Sequence, residues 1–140
     1  MKNFIFSILT LLLFYSESFA RAEAILVVAS SPGSLTIEEL RRIYFQNGGR
    51  LSSGQTVIPI DYREDNPQRD QFYQRAFGRS RVQMKAYWAQ RTFTGKGNPP
   101  KSVDSVKETL DLVSKKSDFY IGYVSESEAD GKLPVLLRLP

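Results

Sequence analysis

The chain has no cysteine, no histidine, one tryptophan, and a single extended apolar stretch, at its N-terminus. Without cysteine the fold contains no disulfide and no thiol nucleophile, and the leader cannot be followed by a lipid-bearing cysteine. Without histidine a Ser-His-Asp triad is impossible, and losing both residue types removes the usual nitrogen and sulfur zinc sites. Carboxylate pairs are what remains for acid–base chemistry. Glu38-Glu39, Glu64-Asp65 and Glu126/Glu128 stand beside helix starts or in polar loops, ordinary places for solvated acids. No enzyme activity is expected, and a carboxylate-dependent hydrolase or transferase ranks last among the readings. No metal or other cofactor is implied.

The apolar stretch is a leader. Lys2 precedes the run Phe4 to Tyr15, interrupted only by Ser7 and Thr10, and small-residue cleavage sites follow at Ser18-Phe19-Ala20 and Ala20-Arg21-Ala22. A bilayer-spanning helix needs about 20 apolar residues, more than this run supplies. A signal peptide over residues 1–22 and one domain over 23–140 are therefore expected, with no transmembrane helix in the mature chain. The formal charge of +4 is mildly basic. Together with export, that makes nucleic acid an unexpected partner.

The rest of the chain alternates strand and helix signals with no repeat, low-complexity tract or linker. Ala24 to Ala29 is a continuous apolar run suited to a strand covered on both faces. Thr36 and Glu39 form a capping box that opens a helix to about Phe45, closed by Asn47-Gly48-Gly49. Val57 to Ile60 reads as a short strand that Pro59 limits to an edge or a bulge. Asp65 or Asn66 caps a helix with Pro67 in its first turn, running to Phe77 and closed by Gly78. Ser80 opens another helix, over Val82 to Arg91, whose Tyr87 and Trp88 have helical spacing and read as core. A further amphipathic helix is predicted from about Ser102, followed by strands at Phe119 to Val124 and Val135 to Leu137.

Two loops carry candidate chemistry. Thr94-Gly95-Lys96-Gly97 offers backbone amides and a lysine to an anion. Arg63 and Asp65 can pair with, and accept from, a protonated oxyanion, beside Asn66 and Arg69 at a helix start. The alternative is structural: an Asp/Asn-Pro cap with an exposed arginine, and a turn that needs glycine for its geometry.

The order of these features resembles the second lobe of the periplasmic phosphate-binding proteins of ABC importers, over nearly the whole mature chain. The residues that carry the resemblance are Pro32-Gly33, Leu35-Thr36-x-x-Glu39-Leu40-x-x-Ile43-Tyr44, Val57-Ile58-Pro59-Ile60, Arg63-x-Asp65, Phe72, Trp88, Gly95-Lys96-Gly97-Asn98 and Ile121-Gly122-Tyr123-Val124. It implies an α/β fold, a single lobe of the type II periplasmic-binding-protein kind, with a mixed sheet flanked by helices. It also implies a periplasmic location and phosphate or another small oxyanion as ligand. Where that family has a Gly-Ser-Gly-Thr turn, this chain has Asn66-Pro67-Gln68-Arg69, and Pro67 has no N–H to give. One lobe without its opposite predicts weak binding in an open cleft. A second reading is an interaction protein that keeps the lobe without a solute. It would meet a periplasmic or membrane protein through the basic and aromatic surface from Arg69 to Arg91.

Overall fold

The computed structural model describes residues 22–140, so the expected leader lies outside the described residues apart from Ala22. Ten elements follow: β1 (Ile25–Ala29), α1 (Ile37–Gln46), β2 (Gly49–Arg50), β3 (Thr56–Tyr62), α2 (Pro67–Phe77), α3 (Arg81–Phe93), β4 (Lys101–Val103), α4 (Val106–Ser114), β5 (Tyr120–Ser125) and β6 (Val135–Leu139). The sheet runs β2-β3-β5-β1-β6, with β4 also paired to β3. β3 is parallel to β5 and β4, whereas β1 is antiparallel to β5 and β6.

Alternation along β5 assigns the two faces. Gly122 faces α4, where an added Cβ would stand 3.0 Å from Thr109 and 3.1 Å from Ile60. Tyr123 faces α2 instead, its ring stacked on Phe72 at 3.8 Å and 7°. The α2 face is packed with aromatic rings: Phe72 lies 4.9 Å from Tyr44, 5.3 Å from Tyr73 and 5.6 Å from Phe77. Two of the buried tyrosine hydroxyls find backbone acceptors. Tyr44 donates to the Ile60 carbonyl at 3.0 Å and Tyr62 to that of Tyr123 at 3.2 Å.

Three expectations need correction. Pro59 does not confine β3 to an edge. The Ile58 N–H donates toward β5, to Phe119, so the alternate positions 57, 59 and 61 face the other side. There, pairing with β2 ends at Val57 and pairing with β4 begins at Ile60, and the proline fills the interval, where a ladder donor is not needed. The fourth helix begins later than predicted, because Lys101–Val103 is extended against β3 and the cap is Ser105, accepting from the Glu108 N–H. The left-handed residue ending α1 is Asn47, at φ 55°, not a glycine; asparagine is among the few residues that tolerate that region.

The capping box of α1 is present as expected. Thr36 Oγ1 accepts from the Glu39 N–H, and the Glu39 carboxylate accepts from the Thr36 N–H at 2.9 Å. Thr36→Ala is expected to destabilise the fold by about 1 kcal/mol, read as a lower urea midpoint. Hydrogen bonds from the Thr36 backbone and side chain hold the Glu39 carboxyl below its ordinary value. Its contribution is thus in place above the usual glutamate range and lost as pH falls through the lowered value. The gap between Thr36→Ala and wild type should narrow in strong acid; an unchanged gap would remove Glu39 from the account.

Candidate functional site

β3 and β4 end side by side, Tyr62 opposite Val103, and the chain turns there into α2 and α4. In α/β folds the ends of parallel strands are where ligands sit. One residue before that end, Asp61 points to the α2 side and is almost fully buried. It accepts from Arg69 Nε at 3.0 Å and from the hydroxyls of Tyr73 at 2.7 Å and Tyr123 at 2.5 Å. Burial lifts the Asp61 carboxyl above its ordinary value, against the pull of Arg69 and the two hydroxyls. Burial opposes the Arg69 charge, but the adjacent Asp61 outweighs it and raises that group. Tyr73 and Tyr123 are pushed well up, first by burial and then by the neighbouring carboxylate. Both phenols remain donors.

Outside this pair lies a cavity of about 190 Å³, lined by Asp61, Arg69, Lys85, Trp88 and Ser102 and bordered by Pro99-Pro100. Trp88 is 6% exposed and its indole N–H has no hydrogen-bond partner among the described residues. Leaving such a donor buried and unpaired costs about 1–3 kcal/mol. The cavity adjoins an exposed pocket of about 670 Å³ that adds Arg63, Asp65, Arg81 and Asp104, the two sharing Glu64, Lys85 and Ser102. Cations at this mouth are paired at the surface: Arg63 with Asp104 at 3.1 Å, Lys85 with Glu64 at 3.6 Å, and Arg81 with Asp70. Exposed pairs contribute only about 0–1 kcal/mol, so Arg63 and Lys85 can exchange partners at small cost.

The predicted site residues divide among three places. Arg63 and Asp65 line the mouth, and Arg69 lines the inner cavity, its charge held by Asp61. Asn66 is the cap of α2, accepting from the Gln68 N–H at 2.8 Å. It lines a separate pocket, where the Glu128 carboxylate already accepts from Gln68 Nε2 at 2.9 Å and from Ser125 Oγ at 2.6 Å. The third place is the glycine loop. The amides of Thr94, Gly95 and Lys96 donate to the carbonyls of Gln90, Thr92 and Arg91, closing α3, and the Lys96 carbonyl accepts from Arg91. Gly95 at φ 70° and Gly97 at φ 141° supply the turn geometry that this closure requires. The loop then delivers Pro99, whose carbonyl accepts from Asn47 at 3.4 Å, to the border of the cavity.

Sequence reasoning missed Lys85, Trp88 and Ser102 as site residues. The signal was the i, i+4, i+7 spacing of Arg81, Lys85 and Trp88, which places them on one face of α3. Among the described residues no group of three acids, histidines or cysteines is placed to hold a metal ion, and no helix is long and apolar enough to cross a membrane.

No protein-family model matches the chain, and no curated protein matches it in sequence. Among solved structures it is similar to the crystal structure of an ABC-type phosphate transport receptor from Vibrio cholerae, with a TM-score of 0.50 and 14% identity. The similarity covers 81% of this chain and 45% of the receptor, so the chain matches less than half of the receptor's length. The fold is a single lobe of the periplasmic-binding-protein kind.

Proposed function

We propose that this is a secreted, periplasmic solute-binding-protein-like domain that takes a small oxyanion such as phosphate in the Trp88 cavity. The observation that carries the reading is the buried indole N–H without a partner, on a side chain that lines a cavity together with Arg69 and Lys85. A tetrahedral oxyanion suits a space below the range of about 300–1,000 Å³ typical of organic ligands. Trp88 donates one hydrogen bond and Ser102 a second. Arg69, fixed by Asp61, supplies a positive potential that does not move. Lys85 leaves Glu64 for the anion, Arg63 reaches in from the mouth, and Asp65 accepts from a protonated ligand oxygen. The similarity of fold to a phosphate transport receptor supports the ligand class.

Trp88 is the only tryptophan, so indole emission, excited selectively over the tyrosines, reports on this cavity. Phosphate or sulfate should change that emission saturably and release or absorb heat in calorimetry. Trp88→Phe keeps the ring's bulk and removes the donor; by calorimetry it should weaken binding about tenfold or more, as expected for a charged hydrogen bond of about 1.5–3 kcal/mol. Absence of both heat and emission change up to tens of millimolar anion would exclude the reading.

A further inference from the structure

We propose that the groove between α1 and α3 docks an acidic peptide segment of a partner protein, one with an aromatic or large aliphatic side chain between carboxylates. The groove, of about 600 Å³, lies apart from the oxyanion cavity and has Phe45, Met84 and Tyr87 among its lining. Four arginines line it as well: Arg41 and Arg42 from α1, Arg79 before α3, and Arg91 near the end of α3. No carboxylate does.

That segregation differs from the mouth of the Trp88 cavity, where cations and carboxylates mix. Arg63, Arg81, Lys85, Lys107 and Arg138 each have a carboxylate within 4 Å, whereas the four groove arginines have none among the described residues. Unpaired guanidiniums held around an apolar floor repel one another, and planar carboxylates are the partners that their forked donors fit. Arg91 is the best placed. Nη2 is tied to the Lys96 carbonyl at 2.8 Å and the guanidinium lies 5.5 Å from the Tyr87 ring centroid, while Nε is buried without a partner. The groove is also preorganised. Tyr87 donates to the Phe45 carbonyl at 2.9 Å and their rings meet edge-on at 5.0 Å, fixing α3 against α1.

A bilayer would be met by apolar side chains that project beyond the cations. Here the order is reversed: Met84 is buried and Phe45 and Tyr87 are half-buried, below exposed Arg41, Arg42 and Arg79. An inorganic anion would leave the apolar floor unused. A peptide that places one apolar side chain on that floor and its flanking carboxylates on the rim satisfies both. The surface expected from Arg69 to Arg91 is thereby redrawn, because Arg69 and Arg81 are bound to Asp61 and Asp70 while Arg41 and Arg42 join.

The test uses the purified chain and a fluorescein-labelled peptide of Asp and Glu residues around one central Phe, followed by anisotropy. Saturable binding is expected, weakened by salt and reduced about tenfold or more in the double variant Arg42→Glu, Arg79→Glu. Replacing the peptide's Phe by Gly should weaken it several-fold. Trp88→Phe should leave peptide binding intact, which separates this site from the oxyanion cavity. Arg42 and Arg79 are both exposed, and circular dichroism verifies the fold of the double variant. No binding at millimolar peptide, equal binding by the double variant, equal binding of the Gly peptide, or capture by phosphatidylglycerol vesicles without peptide binding would each overturn the proposal.

Discussion

Asp61→Asn is expected to destabilise the fold by about 3–5 kcal/mol, because it leaves the buried Arg69 guanidinium without a counter-charge. The side chain keeps its shape and one acceptor oxygen, so the loss isolates charge rather than volume. Arg69 is 7% exposed, and among the described residues no second carboxylate lies within 4 Å to replace Asp61. The Tyr73 and Tyr123 hydroxyls lose a charged acceptor in the same step, since both donate to this carboxylate. Urea unfolding gives the size of the effect. A cycle with Arg69→Met gives its origin, and the double variant should be more stable than the sum of the single losses by about 0.5–3 kcal/mol. Additive losses would show that Asp61 and Arg69 contribute separately. A midpoint equal to wild type in Asp61→Asn would show that the charge is not needed at all.

Phe72→Ala should cost about 3–5 kcal/mol, the range for removing a buried aromatic ring and leaving its cavity. Phe72 is 0% exposed and is the ring against which Tyr123 stacks. Its loss therefore reaches further than the missing contacts. Tyr123 orients its hydroxyl on Asp61, Asp61 holds Arg69, and Arg69 lines the Trp88 cavity. Phe72→Leu should lose much less stability and keep the network. An Ala variant with a near-native midpoint would mean that the aromatic cluster refills the space.

Most of the fold is legible in local chemistry. Thr36-x-x-Glu39, Asn66-Pro67, Gly78 and Ser80 each act within one turn of helix, and the structure uses all four as caps or stops. The start of the fourth helix is misread because Ser102 and Ser105 are equally good caps by type. Only pairing with distant β3 decides between them, and a strand of three residues has no periodicity of its own. Arg69 shows the same limit at the site. Its position after an Asn-Pro cap suggests an exposed charge, but its counter-ion is eight residues back, on a strand. Trp88 and Tyr87 differ in another way. Helical spacing marks both as core, and it carries no information on which polar edge finds an acceptor. Tyr87 does, through Phe45; Trp88 does not.

Pro59 has one more consequence, for how the chain behaves among its own copies. Sheets aggregate where a strand presents an uninterrupted row of free amides and carbonyls to a passing chain. β2 and β4 cover β3 at either end, and the uncovered interval between them falls where the outward amide has been replaced by a pyrrolidine ring. A foreign strand that enters there finds no donor to start a ladder. Pro59→Val would restore that donor and open a seam for self-association.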